Sequence, residues 1–477
     1  MQLTTHRLPL VAAATALLAA CGGGSGGSSS GGTVGSNVVT PTPSPSQTTS
    51  ACSLSARKQF AREVIDQWYL FPDLVNTGAN PASYATVQDY INALVAPARA
   101  QSKDRYFTYI TSIAEENAYY ASGSTAGFGM RLALDSSSLV VLEAFEGAPA
   151  LAAGIDRGSR IVAIGTSAGT MRDVADILAS DGSYGISEAL GPSDPGVTRY
   201  LEVEGLGIVA LSKTDFALDP VSDRYGAKII DAGGVRAGYI NLRTFIDTAE
   251  PDLRAAFDSF RAQGIDKFII DLRYNGGGLV AIADVMGDLM GRDNVGQVWS
   301  RMTVRPSKAA EFNSTRLFEA QPEAVAPVKV AFIGRGGTAS ASELVINSML
   351  PYLGTNMALV GANTYGKPVG QFGIDNPACD DRMRVVAFRT ENADGNADYF
   401  TGLAASVPVT CQANDDYTDP LGDPAEASIS AAIDFLAGRS CQAIASGGQS
   451  TQSVAARRAL LASPRPSTAQ REVPGLF

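Results

Sequence analysis

VKVAFIGRGGTASASELVINSMLPYLGTNMALVG, residues 328–361, decides the fold. Its first seven residues form a β-branched, apolar run suited to a strand buried on both faces. Ser342 to Leu353 is almost continuously apolar and too long for such a strand, so it reads as a buried helix. Met357 to Gly361 is then a second buried strand. The same alternation extends upstream. GYINLRTF (Gly238 to Phe245) is a strand, Leu253, Phe257 and Phe260 mark an amphipathic helix closed by Gly264, and KFIIDLR (Lys267 to Arg273) is another buried strand. Strands alternating with helices predict an α/β core.

Three glycine-flanked segments follow the strand ends, where α/β folds tend to place ligands: Asn275-Gly276-Gly277-Gly278, Gly337-Thr338-Ala339-Ser340-Ala341-Ser342-Glu343, and Thr364-Tyr365-Gly366-Lys367-Pro368. Small residues around Ser340 let its hydroxyl sit on a tight strand-to-helix turn, with the helix N-terminus favouring negative charge. Ser340-x-x-Glu343 is equally a capping box, in which the serine merely caps the helix. Gly361-x4-Gly366-Lys367 has the outline of a phosphate-binding loop, but Pro368 stands where that loop needs a magnesium-binding hydroxyl.

Composition narrows these readings. The 477 residues carry 37 Lys and Arg against 48 Asp and Glu, a formal charge of −11, and one histidine, His6. This acidic balance, with no basic run, argues against nucleic acid as a partner. His6-Arg7 precede the apolar run Leu8 to Ala20, which has the length of a signal-peptide core and is too short for a mature membrane span. If residues 1–20 are removed, no histidine remains. Imidazole-based nucleophile activation is then closed, and a serine nucleophile must find another base.

GTASASE, followed after a helix and a strand by TYGKPVGQ, resembles the active-site pair of the C-terminal processing (tail-specific) peptidases, and DLRYNGGG supports the resemblance over residues 55–440. That family uses a Ser-Lys dyad and carries a PDZ domain. The resemblance implies Ser340 as nucleophile, Lys367 as general base and Gln371 as the residue that positions the lysine. It also implies an oxyanion hole from the amides of Ala341 and Gly277. A lysine near its ordinary pKa of roughly 10.4 is a poor base, so burial must depress it. The interval from Ser340 to Lys367 is 27 residues, two longer than the family's usual spacing, and a lengthened Pro351 to Met357 turn would absorb the difference. No cofactor or metal is implied. The acidic stretch Asn392 to Asp398 lacks the terminal glutamate of an EF-hand loop and reads as a solvated turn.

GFGMRLAL and the segment LVVLEAFEGAPALAAGIDRGSRIVAIG resemble a PDZ core. The loop Gly127-Phe128-Gly129-Met130 would receive a chain-terminal carboxylate while the ligand adds as a strand. The fold implied is α+β and multidomain, ending in a spiral β-α core like that of the Clp protease and crotonase group. Expected boundaries are a signal at 1–20, a Gly/Ser/Pro-rich tether at 21–51, a helical domain at 52–120, a PDZ-like domain at 121–215, the peptidase core at 216–441 and a loosely ordered tail at 442–477. Leu18-Ala19-Ala20-Cys21 resembles a lipobox, which implies acylation of Cys21 and a lipid-anchored protein of the bacterial envelope facing the periplasm. The membrane would be contacted through the anchor alone.

The remaining cysteines, Cys52, Cys379, Cys411 and Cys441, suit an oxidising compartment and allow three connectivities. The expected pairs are Cys379 with Cys411, and Cys52 with Cys441. The functional expectation is an envelope serine endopeptidase acting on protein or peptide substrates with free apolar C-termini. Its rival is an inactive lipoprotein of the same fold that binds a peptide or ligand without cutting it.

Overall fold

The strands read from the 238–361 region lie side by side. In the computed structural model, which describes residues 50–135, 137–445 and 459–477, they form a six-stranded sheet. Its order is Ala227–Ala232, Val235–Asn241, Lys267–Asp271, Lys329–Gly334, Met357–Gly361 and Thr410–Gln412, with the first pair antiparallel and the rest parallel. Both faces are covered, as parallel sheets require. Ile240, Phe268, Ile270 and Phe332 pack with Leu253 and Phe257 of the helix Ala249–Ala262 and with Val345 and Met349 of the helix Ala341–Leu353. Tyr239, Ile269 and Ile333, on the alternate positions, pack with Ile429 and Ile433 of the helix Ala427–Leu436.

A second, largely antiparallel sheet joins Val298–Val304, Ser314–Leu317, Val369–Asn376 and Asp381–Glu391 to Tyr109–Ser112 from the N-terminal region. The expected helical domain at 52–120 is therefore corrected. The helices Leu54–Trp68 and Val87–Leu94 do form, on capping oxygens of Ser53 and Thr86. They bury Ala61, Ile65, Ile91 and Leu94 against Val385 and Phe388 of the second sheet, so this region is a layer of the main body. The described residues form one compact unit.

The four cysteines pair otherwise than expected: Cys52 with Cys379, and Cys411 with Cys441. Cys379 lies in the turn between Val369–Asn376 and Asp381–Glu391, a hairpin that projects beside the start of the N-terminal helix. Cys411 lies on the last core strand, which the 441–442 segment crosses through the Gln412 amide and the Gln442 carbonyl. Replacing Cys52 and Cys379 together by serine should lower unfolding free energy by about 2–4 kcal/mol, because the bond closes a long loop. Urea unfolding with and without reductant measures this; an unchanged midpoint would remove the bond from the stability account.

The 121–215 region forms its own sheet, entered and left through the paired strands Ser124–Gly127 and Thr214–Ala217. Its exposed edge would have been Met130–Asp135. That edge is covered, which corrects the expectation of a loose tail. Ala459 and Leu460 pair with Leu134 and Ala133, and Leu476 pairs with Arg131. Leu461, Ala469, Val473, Leu476 and Phe477 are buried, giving the segment an apolar reason to dock. Residues 1–20, Cys21 and the stretch to 49 lie outside the described residues. No helix among the described residues is long and apolar enough to cross a membrane.

Candidate active site

The parallel strands end on one edge of the sheet, and the three glycine-flanked loops meet there. Ala339 N–H and Ser342 Oγ both donate to the Asn275 carbonyl, at 3.1 and 3.0 Å. Tyr365 N–H donates to the Thr338 carbonyl at 2.9 Å, and Thr338 Oγ1 to the Leu272 carbonyl at 2.7 Å. Beneath them Arg273, fully buried, is held by Asp271 at 2.9 Å and by both oxygens of Glu426 at 2.8 and 2.9 Å. The DLR part of DLRYNGGG is thus a buried charge-paired floor.

Ser340 stands at the head of the helix Ala341–Leu353 with φ 54° and ψ −116°. A non-glycine residue there is strained, and an ordinary N-cap is extended instead. The turn lifts Ser340 against the glycine loop: a Cβ on Gly277, where φ is 124°, would lie 2.7 Å from Ser340 Cβ and 3.2 Å from Ala341 N. The capping pair with Glu343 is present as well. Cap and strained turn coexist, and the glutamate does more than cap.

Glu343 is fully buried, and its carboxylate receives four donors. Ser340 N–H (3.2 Å) and Lys367 N–H (2.7 Å) reach Oε2, while Thr364 Oγ1 (2.5 Å) and Gly366 N–H (2.7 Å) reach Oε1. One side chain therefore fixes the serine turn and the lysine loop to each other. Burial pushes its pKa up, and the four donated bonds pull it down.

Lys367 is partly buried and donates from Nζ to Gln371 Oε1 at 2.9 Å. Gln371 is anchored in turn by donating to the Phe107 carbonyl, and Lys367 Nζ lies 5.1 Å from the centre of the Phe107 ring. Arg105 donates to the Tyr365 and Gly366 carbonyls at 2.7 and 2.6 Å. The segment Asp104 to Ile110 (DRYFTYI) thus braces the lysine loop from the N-terminal layer. Desolvation by burial is the main influence on Lys367 and lowers its pKa.

One expected role moves. Gly277 N–H donates to Asn275 Oδ1 of its own loop at 2.9 Å and is not open to a ligand. Gly276 N–H instead reaches out of the loop, to the Glu472 carbonyl at 2.9 Å. Ala341 opens its helix, where amides lack intrahelical partners. The amides beside Ser340 that are not taken up by their own loop or helix are therefore those of Ala341 and Gly276. Sequence reading missed the clamping role of Glu343, whose signal was visible only as a cap, and missed Arg105 and Phe107 altogether.

The Asn392 to Asp398 run is a turn: Asn392 Oδ1 accepts the amides of Asp394 and Asn396. No group of three or more His, Cys, Asp or Glu that could hold a metal occurs among the described residues.

Residues 236–404, which carry NGGG, GTASASE and TYGKPVGQ, match the model of peptidase family S41. The C-terminal processing peptidase, chloroplastic, of Tetradesmus obliquus is 28% identical over 268 residues, covering 53% of this chain and 54% of that protein. The carboxyl-terminal-processing protease of Picosynechococcus sp. (strain ATCC 27264 / PCC 7002 / PR-6) is 26% identical over 259 residues, 54% of this chain and 58% of that protein. The chain spans about half the length of these curated relatives. A crystal structure from Bacteroides fragilis NCTC 9343, provisionally assigned to the S41 proteases, superposes with a TM-score of 0.61 at 23% identity, covering 80% of this chain and 97% of that one. It shares the fold.

Proposed function

We propose that this chain is a serine endopeptidase working through a Ser340–Lys367 dyad. The observation that carries the reading is the Glu343 carboxylate, which ties the Ser340 turn and the Lys367 loop together by four hydrogen bonds. A structural cap needs only the first of them.

Burial favours the neutral amine of Lys367, which accepts the Ser340 proton as Oγ attacks a peptide carbonyl. The amides of Ala341 and Gly276 hold the developing oxyanion. Lys367 then protonates the leaving amine, and water, deprotonated by the same lysine, releases the acyl group. Gln371 keeps Nζ in the loop's plane of action through its 2.9 Å bond. Substrates are unstructured protein tails with free apolar C-termini, received by the PDZ-like loop Gly127 to Met130, and the enzyme is tethered to the envelope by lipid on Cys21.

Labelling separates this reading from a binder of the same fold. An active-site-directed serine probe should modify Ser340 in the native chain and fail in Lys367→Ala; no labelling of the native chain, with the site accessible, would favour the binder. The pH profile provides a second check. Because Lys367 must be neutral, kcat/KM should rise with pH along a limb whose midpoint lies below the 10.5 of an ordinary lysine. A limb at or above that value would exclude Lys367 as the base.

A further inference from the structure

The strand-adding groove and the catalytic cleft are both occupied, and by the same piece of this chain. Phe477, the last residue of the sequence, places its main-chain oxygen on the amides of Gly129 and Met130, at 3.0 and 3.2 Å. Its own N–H donates to the Met130 carbonyl at 2.9 Å, and the Gly475 carbonyl accepts from Leu132 at 2.8 Å. This is an antiparallel strand laid on the sheet edge. The Phe477 side chain belongs to the apolar cluster of Phe128, Met130, Ile177 and Leu211 and is 3% exposed. The Pro474 carbonyl accepts from buried Arg131 at 2.7 Å, and that guanidinium also donates to the Tyr274 carbonyl, two residues before the Gly276 amide.

A few residues upstream the same segment enters the cleft. Arg471 and Glu472 carbonyls lie against Gly276, so close that a Cβ there would stand 2.8 and 2.9 Å from them. The Glu472 carbonyl takes the Gly276 amide that would hold an oxyanion. Thr468 N–H is caught by Glu115, Tyr120 donates to Glu472 Oε1 at 3.1 Å, and Arg471 stacks 3.7 Å from the Tyr109 ring centre. Glu472 also faces Lys367 and opposes, without outweighing, the lowering of the lysine's pKa by burial. In this state Lys367 Nζ is bonded to Gln371.

We propose that residues 459–477 are an intramolecular occupant of the substrate path, filling the groove with Pro474 to Phe477 and the oxyanion site with the Glu472 carbonyl. An incoming chain ending in an aromatic or apolar residue must displace it. This rests on the reading of the Gly127 to Met130 loop as a peptide receiver and of Ser340 as the nucleophile. A tethered ligand competes at high effective concentration, so the groove is open only in the fraction of molecules whose tail has lifted.

Binding tests this without catalysis. The probe is a fluorescein-labelled peptide, Arg-Glu-Val-Pro-Gly-Leu-Phe, titrated by anisotropy into the Ser340→Ala chain with and without residues 474–477. Removal should tighten binding by about tenfold or more. Phe477→Asp in the otherwise full Ser340→Ala chain should do the same, and its thermal midpoint reports whether the fold survives. Equal affinity in all three proteins, with folded midpoints, overturns the proposal. In the Ser340 enzyme, the same deletion should raise kcat/KM for an unfolded protein. If no variant cleaves while the binding gain remains, the peptidase reading falls and the tail occupancy stands. If the intact and shortened chains cleave equally and bind the probe equally, the tail occupancy falls alone.

Discussion

On the proposed mechanism, Ser340→Ala and Lys367→Arg should each reduce cleavage of an unfolded protein by about 10⁴-fold or more, as removal of a nucleophile does in serine hydrolases. The two substitutions fail for different reasons. Alanine at 340 removes the attacking oxygen. Arginine at 367 keeps the charge and much of the length, but its guanidinium stays protonated at any working pH and cannot accept the serine proton. Lys367→Met, close in volume and apolar, should be equally inactive and should fold, since it avoids burying a charge. Quantifying product by mass spectrometry against the native chain, with thermal midpoints for each variant, decides the matter. Substantial turnover in Lys367→Arg would mean that another group takes the proton.

Glu343→Gln carries the second large effect. Both carboxylate oxygens accept two donors each, and three of the four are backbone amides that cannot reverse their polarity. A glutamine amide places an NH₂ group against at least one amide donor, so one pair of bonds becomes repulsive and leaves buried N–H groups unpaired. The serine turn and lysine loop then drift apart, and a displacement of about 1 Å is enough to cost about 10²-fold in kcat. Because Glu343 is a positioning residue with no contact to substrate, KM for a tail peptide should stay nearly constant while kcat falls. An unchanged kcat, or a rise confined to KM, would return Glu343 to the role of a helix cap.

The chain's local patterns carried much of this account. The strands expected within 267–273, 328–334 and 357–361 are the buried parallel strands Lys267–Asp271, Lys329–Gly334 and Met357–Gly361, and the apolar segment after Ser340 is the buried helix expected. Ser340 heads the helix Ala341–Leu353, Lys367 lies in the loop after Met357–Gly361, and Gln371 lies on the strand Val369–Asn376 of the second sheet. The choice between Gly276 and Gly277 was not legible, because it depends on which amide Asn275 Oδ1 captures and which turns toward the cleft. The glutamate clamp was hidden behind a capping motif, since three of its four donors come from a loop more than twenty positions away.

Two other misreadings share that cause. The expected disulfide pairs, Cys379 with Cys411 and Cys52 with Cys441, do not form, because the bond from Cys52 to Cys379 spans 327 positions that only the hairpin's place in the second sheet brings together. The tail, rich in serine, alanine, glutamine and proline, has no periodicity of its own. Its residues 459–477 dock because they complete an open strand edge and bury Leu476 and Phe477.

Sequence alone therefore determined what is encoded in contiguous residues: the α/β core, the glycine loops, and a composition with a single histidine. Its single histidine, His6, lies in the expected signal, and a lysine base is consistent with that. Tertiary structure decided everything that depends on distant segments meeting: which carboxylate joins the serine to the lysine, which amide faces the cleft, which cysteines bond, and where the last nineteen residues rest. Hydrogen bonds and buried contacts are made between neighbours in space, and neighbours separated by hundreds of residues leave no local pattern to read.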